Sequence, residues 1–295
     1  MAHILSLQSH VAYGYVGNCV ATFVLQRMGH EVIRVNTVQF SSHSGYGKLY
    51  GDIMSLEHIE KIFLGLQEYN FLNDIQAVVT GYMGDKSLGD VLVKWLSQIR
   101  QINPNLIYCC DPVIGDIDRG VYVKDGVGDF FKQNAARLSN IMTPNHFELS
   151  YLTGINCDNI VSVIDACNIL HKQGVGIVLV TSLLLPQDNP NEISMLISSS
   201  SKGVFKISTP KLQMPIAVTG AGDMTSAIFL SSYLNTRDEK LSLELTTTKV
   251  FSIFEKTLEA KRRELALVQE QNCLSSNDVK FIAHKIDFFH NLKYE

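Results

Sequence analysis

The chain has 295 residues, 46% of them apolar and 18% charged, with 25 Lys and Arg against 29 Asp and Glu. A chain of this length can bury about three quarters of its unfolded surface, and the balance of residues excludes disorder and a coiled coil. A formal net charge of −4 without a basic stripe argues against electrostatic binding of nucleic acid. No apolar run reaches the roughly 20 residues of a membrane span, and no basic, apolar leader precedes the first strand-like segment. Cysteines at 19, 109, 110, 157, 167 and 273 lack CxxC spacing, the pattern of reduced, mostly buried thiols. These features lead to the expectation of a cytoplasmic enzyme with no membrane or nucleic-acid partner.

In chain order, short β-rich runs alternate with helical ones. Strands are expected at 2–8, 31–39, 76–81, 106–111, 140–143 and 176–181, and helices at 16–28, 56–69, 88–101, 128–139 and 163–173. That alternation predicts an α/β fold, a mostly parallel central sheet with helices packed on it. Two β runs, 193–197 and 204–208, flank the serine tract 198–201 and read as a small antiparallel hairpin. Helices are then expected at 224–234, 241–271 and 276–289, the second with a charged middle, 255–264, that reads as a solvated face. No internal repeat or linker divides the chain, so one domain over 1–295 is expected.

Several segments carry candidate chemistry. Gly220-Ala221-Gly222-Asp223 precedes a helix, so backbone N–H groups can converge on an anion at its N-terminus. Asp223 there can take the proton of an alcohol that attacks a phosphoryl group; it can equally be an acid set against the helix dipole. Thr143-Pro144-Asn145 with Glu148 offers an amide and a carboxylate to the water shell of Mg²⁺, and the same spacing is a capping box. Asp111 ends a buried strand, where ligands of open α/β sheets bind; an Asp-Pro turn accounts for it as well. Ser9 follows the first strand without a GxGxxG fingerprint, which weakens a dinucleotide enzyme, and a serine there is also an ordinary turn residue. The loop containing His43, Ser44 and Gly45, with Tyr82 after another strand, suits a flat heteroaromatic ligand, whereas His43 and Tyr82 taken singly read as structural residues.

Taken together in order, these strings resemble the pyridoxal kinases, the vitamin B6 kinases of the ribokinase-like superfamily, over essentially the whole chain. They are Ser9-His10 with Gly17-Asn18, 36–41 through Tyr46-Gly47, Thr80-Gly81-Tyr82, Asp111-Pro112-Val113, Thr143-Pro144-Asn145 with Glu148, and 220–223. The resemblance implies helices on both faces of the sheet, ATP with Mg²⁺, a homodimer, and phosphorylation of the 5′-hydroxymethyl group of pyridoxal, with pyridoxine and pyridoxamine as further substrates. It implies Asp223 as the base and Gly220, Ala221 and Gly222 as the anion hole. Ser9, Val16, Val38, His43, Ser44, Gly45 and Tyr82 are implied in the vitamin pocket. Asp111, Thr143, Asn145 and Glu148 are implied on the ATP side, with Asp111 and Glu148 holding Mg²⁺ partly through water and Asp116 a candidate for K⁺ or Na⁺. Thr181 and Ser182 are implied near the phosphates, Thr209, Pro210, Lys211 and Leu212 beside the adenine, and 115–123 as a lid with Tyr122 reaching inward.

Ala217-Val218 stands where sugar kinases of the superfamily usually have Asp-Thr, and the lysine and lid cysteine of some bacterial relatives are missing at Thr181 and near Val121. A hydroxymethylpyrimidine kinase or sugar kinase is the neighbouring alternative. A non-catalytic carrier of pyridoxal phosphate is the alternative from another class.

Overall fold

The computed structural model describes residues 1–287. β1 (His3–Tyr13) opens the chain, and Ile4, Leu5 and Leu7 are all buried. Consecutive burial means that both faces are covered, as in the interior of a parallel sheet. α1 (Asn18–Arg27), β2 (Glu31–Ser42), β3 (Gly51–Ile53), α2 (Leu56–Glu68), β4 (Ile75–Thr80), α3 (Leu88–Ile102) and β5 (Ile107–Cys110) follow. A hairpin of β6 (Gly115–Asp116) and β7 (Gly120–Val121) leads to α4 (Val127–Phe130), which runs through a π-turn at Phe131–Ala135 into α5 (Ala136–Leu138). Next come β8 (Ile141–Met142), α6 (His146–Thr153), α7 (Ile160–Gln173), β9 (Ile177–Leu183), β10 (Glu192–Ser199), β11 (Gly203–Pro210), α8 (Ala221–Thr236), α9 (Glu239–Glu259), α10 (Asn272–Ser275) and β12 (His284–Lys285).

Among the described residues ten strands form one sheet in the order β12-β11-β10-β9-β8-β5-β4-β1-β2-β3. The pairs from β9 to β2 are parallel, whereas β3 and the β10-β11-β12 edge are antiparallel. The expected α/β fold is present, and the hairpin extends the main sheet. One face packs Val20, Val24, Met224, Phe229 and Leu243 from α1, α8 and α9. The other packs Phe63, Trp95, Leu149 and Leu170 from α2, α3, α6 and α7. β1 lies between β2 and β4, so successive crossovers leave it in opposite directions and open a crevice beyond its carboxyl end. All six cysteines are free, and 109, 110, 157 and 167 are buried. No helix among the described residues is long and apolar enough to cross a membrane.

Three sequence expectations need correction. The helix expected at 241–271 ends at Glu259, because Lys261 turns into positive φ and the chain folds back on itself. Buried Thr257 fixes that reversal, its carbonyl accepting from Arg262 N and its hydroxyl from Ala266 N, so that Leu265, Ala266 and Leu267 enter the core. The helix expected at 276–289 does not form over 276–287, which is irregular chain and β12 after the single turn of α10. Buried Lys249 donates to the carbonyls of Cys273 and Ser276, and Glu244 accepts from Ala283 N, which ties this segment down as extended chain; positions 288 and 289 lie outside the described residues. The charged stretch 255–264 is not a uniform solvated face, since Glu264 is 5% exposed. Glu259 pairs with Lys256, and Arg263 lies past the helix end.

Candidate active site

A cleft of ≈ 1130 Å³ lies along the carboxyl ends of the parallel strands. From β1 to β9 it spans four strand spacings, about 19 Å, room for an aromatic ring at one end and a nucleotide at the other. Every site residue expected from the sequence lines it, in three groups. Ser9, Val16, Val38, His43, Ser44, Gly45 and Tyr82 stand at the β1-β2-β4 end. Asp111, Asp116, Tyr122, Thr143, Asn145 and Glu148 are in the middle, with Gly220, Ala221, Gly222 and Asp223. Thr181, Ser182, Thr209, Pro210, Lys211 and Leu212 stand at the β9-β11 end.

Ser9 is inside β1, not in a turn, at a break in register between Gln8 and His10. Such irregularities re-aim a side chain, here into the cleft. Gly17 packs directly on Ser9, and its backbone N–H donates to Asp223 Oδ2 at 2.8 Å across 206 residues of chain. Gly220, at φ 91°, caps α8; a Cβ there would fall 1.8 Å from the carbonyl oxygen of Tyr15. The first loop of the protein is thus pressed against the N-terminus of α8, and only glycine permits the contact.

Asp223 stands in the first turn of α8, and burial pushes its carboxyl up to about 6, the Gly17 bond pulling the other way. Glu148 is 4% exposed; burial pushes it up to about 7 against bonds from the backbone N–H groups of Asn145, Ile114 and Gly115. Asp111 is raised well above the usual carboxylate range, first by burial and then by repulsion from Glu148 and Asp223. Its Oδ2 is buried without a partner. The capping box at Asn145 and Glu148 is present, and it fixes the Glu148 carboxylate at the cleft.

The repulsion at Asp111 and its orphaned oxygen are features that a hard divalent cation beside this carboxylate would relieve. Among the described residues no three His, Cys, Asp or Glu side chains are placed to hold a metal ion by themselves. Asp116 differs. Arg119 donates to both of its oxygens, and although burial pushes the carboxyl up, these bonds outweigh it and hold it below the ordinary range. A monovalent cation at Asp116 Oδ2 would compete with that guanidinium.

Tyr122 lies at the cleft beside the β6–β7 hairpin, with the Arg119 guanidinium 4.6 Å from its ring centre. Ser182 adopts φ 51° at the end of β9, a left-handed conformation rare outside glycine and typical of constrained sites. Sequence reasoning missed Val250, Phe251 and Phe254 on α9, which line the cleft. Their helical spacing reads as core, and no signal in the chain sets them apart. It also missed Arg119 and Arg263.

Residues 52–265 match the model of the phosphomethylpyrimidine kinase family. Pyridoxal kinase PdxY of Rubrobacter xylanophilus is 39% identical over 284 residues, covering 96% of this chain and 97% of that one. This chain belongs to that family and to the pyridoxal kinases. Its backbone is similar to pyridoxal kinase from Leishmania donovani in complex with ADP and ginkgotoxin, at a TM-score of 0.90 and 29% identity, covering 97% of this chain and 100% of that one. The Leishmania pyridoxal kinase in complex with ADP and pyridoxamine gives a TM-score of 0.88 at 28% identity, with the same coverage.

Proposed function

We propose that this chain, working as one ribokinase-like domain, transfers the terminal phosphoryl group of ATP to the 5′-hydroxymethyl group of pyridoxal. Pyridoxine and pyridoxamine are accepted at the same site. The observation that carries the reading is Asp223, a carboxylate raised to about 6 at the N-terminus of α8, in a cleft lined on one side by His43 and Tyr82 and on the other by Asp111 and Glu148. A base with a pKa just below neutral is ionised at physiological pH and still accepts a proton effectively.

Each group of residues has a task. Ser9 meets the polar edge of the ring, and Val16, Val38, His43, Ser44, Gly45 and Tyr82 enclose it so that its alcohol faces Asp223. Asp223 accepts the alcohol proton as the oxygen attacks, and the Gly17 N–H keeps Oδ2 in place. The N–H groups of Gly220, Ala221 and Gly222 stabilise the charge that grows on the transferring group. Thr143, Asn145, Thr181 and Ser182 orient the phosphates, Thr209, Pro210, Lys211 and Leu212 flank the adenine, and Tyr122 with its hairpin excludes water. Asp111 and Glu148 would hold Mg²⁺, partly through water, and the ion would neutralise phosphate charge. We place the enzyme in the cytoplasm as a homodimer.

The test is ADP release by the purified protein with Mg-ATP and, in turn, pyridoxal, pyridoxine, pyridoxamine, hydroxymethylpyrimidine and ribose, in K⁺ and in Na⁺. Turnover of a B6 vitamer is expected. Turnover of the pyrimidine or ribose alone would move the chain to a neighbouring kinase activity, and silence on all five with tight binding of pyridoxal phosphate would make it a carrier.

A further inference from the structure

Between positions 41 and 50, His43 is the only buried residue. The loop therefore has almost no apolar surface to hold it in place, yet it supplies His43, Ser44 and Gly45 to the cleft. Tyr46 packs against the rings of Tyr13 and His43, and the polar contacts of the loop converge on a residue that does not line the cleft. Glu264 Oε1 accepts from His43 Nε2 at 2.8 Å and from the Tyr46 hydroxyl at 2.8 Å. Its Oε2 accepts from Tyr15 N at 3.0 Å. His43 Nδ1 accepts from Gly45 N at 3.2 Å, so the neutral ring carries its proton on Nε2, facing the carboxylate. Arg263 adds a donor to the Gly45 carbonyl and lies 3.9 Å from the Tyr46 ring centre.

We propose that Glu264 is a positioning residue for the vitamin pocket, clasping the 43–46 loop through His43 and Tyr46 and joining it through Tyr15 to the glycine turn at Gly220. The inference rests on the functional reading above. One carboxylate joins three chain segments: the loop after β2, the loop after β1, and the reversal after α9. Tyr15 is the residue whose carbonyl abuts Gly220, so the clasp sets the pocket wall relative to the phosphoryl-transfer centre. Burial alone would push Glu264 up, but the bonds from His43, Tyr46 and Tyr15 outweigh it and hold the carboxyl below its ordinary value.

Glu264→Gln tests this. The amide keeps the size but offers one acceptor oxygen where two are needed, so either the His43 and Tyr46 donors or the Tyr15 N–H must lose its partner. The expected result is a KM for pyridoxal raised about tenfold, with KM for ATP changed less than about threefold. Backbone hydrogen exchange at 43–47 should accelerate, a readout independent of turnover. Tyr46→Phe, at an exposed position that does not threaten folding, should move KM for pyridoxal in the same direction by about threefold. Equal rises in both KM values with a lowered Tm would make Glu264 merely structural and overturn the inference. Faster exchange with an unchanged KM for pyridoxal would overturn it too. Failure of the functional reading looks different, because the unsubstituted protein would then be silent on every B6 vitamer.

Discussion

Replacing Gly17 by alanine probes the centre of the site with a single methyl group. Gly17 sits at φ 50° and ψ −130°, a combination that costs a residue with a side chain about 1–3 kcal/mol. The new Cβ would fall 2.2 Å from the Ser9 carbonyl oxygen and 2.3 Å from Ser9 Oγ, whereas ordinary contact begins at 3.4 Å. Something must move by about 1 Å, and the segments available are the ring contact at Ser9 and the N–H that holds Asp223. A displacement of that size at a reacting centre costs about a hundredfold in rate. Loss of the Gly17 bond also removes the one interaction that lowers Asp223, and a hydrogen bond to a charged group is worth about 1.5–3 kcal/mol. The acidic limb of kcat/KM should therefore move upward from near 6 by about one pH unit or more. The sign follows from the base being active only when ionised, so activity falls as pH drops through its pKa. The assay is kcat/KM for pyridoxal by coupled ADP detection from about pH 5 to about pH 9, with Tm as a control for folding. A Gly17→Ala variant with the parent's rate and an unshifted limb would refute both the packing and the role given to Asp223.

Three further outcomes follow from the same geometry. Asp223→Asn should lower kcat by about 10²–10⁴-fold while leaving the Kd of pyridoxal, measured by titration, largely intact; near-normal turnover would remove Asp223 as base. Ser9→Ala should raise KM for the vitamer with little change in kcat, and if both constants stay unchanged Ser9 is only part of the bulged strand. Trp95 is 1% exposed and stacks on Phe63 at 4.0 Å, remote from the cleft. Trp95→Ala should cost about 3–5 kcal/mol in a denaturant titration and leave KM values alone, so a selective change in either KM would show that this side of the core reaches the site.

The central sheet was legible because its strands are unbroken apolar runs separated by helical periods, as in Ala77-Val78-Val79 before α3. That the expected residues would share one cleft was legible because most lie near the carboxyl ends of strands, and a parallel sheet gathers those ends on one side, although Ser9 and Val38 lie inside β1 and β2. What stayed hidden depends on contacts distant in sequence. Nothing local in Leu258–Gln271 announces that Thr257 will take the Ala266 N–H and end the helix, since its residues keep good helix propensity. Glu264 sits in a charged run whose neighbours are solvated, and only its partners at 15, 43 and 46 distinguish it. The capping box at Asn145 was readable, whereas its second duty, setting Glu148 at the cleft, depends on the N–H groups of Ile114 and Gly115 in a separate loop.

The bonds from Gly17 to Asp223 and from Tyr15 to Glu264 join residues 206 and 249 positions apart. On the ribosome, where folding begins from the N-terminal side, β1, β2 and β4 can pair while α8 is still unmade. The nascent sheet then carries a half-built pocket whose N–H groups at 15 and 17 face water. The carboxylate proposed to take the proton and the one proposed to clasp the pocket both emerge after β1 to β11, so a product truncated before them would be able to fold most of the sheet and would lack the proposed base.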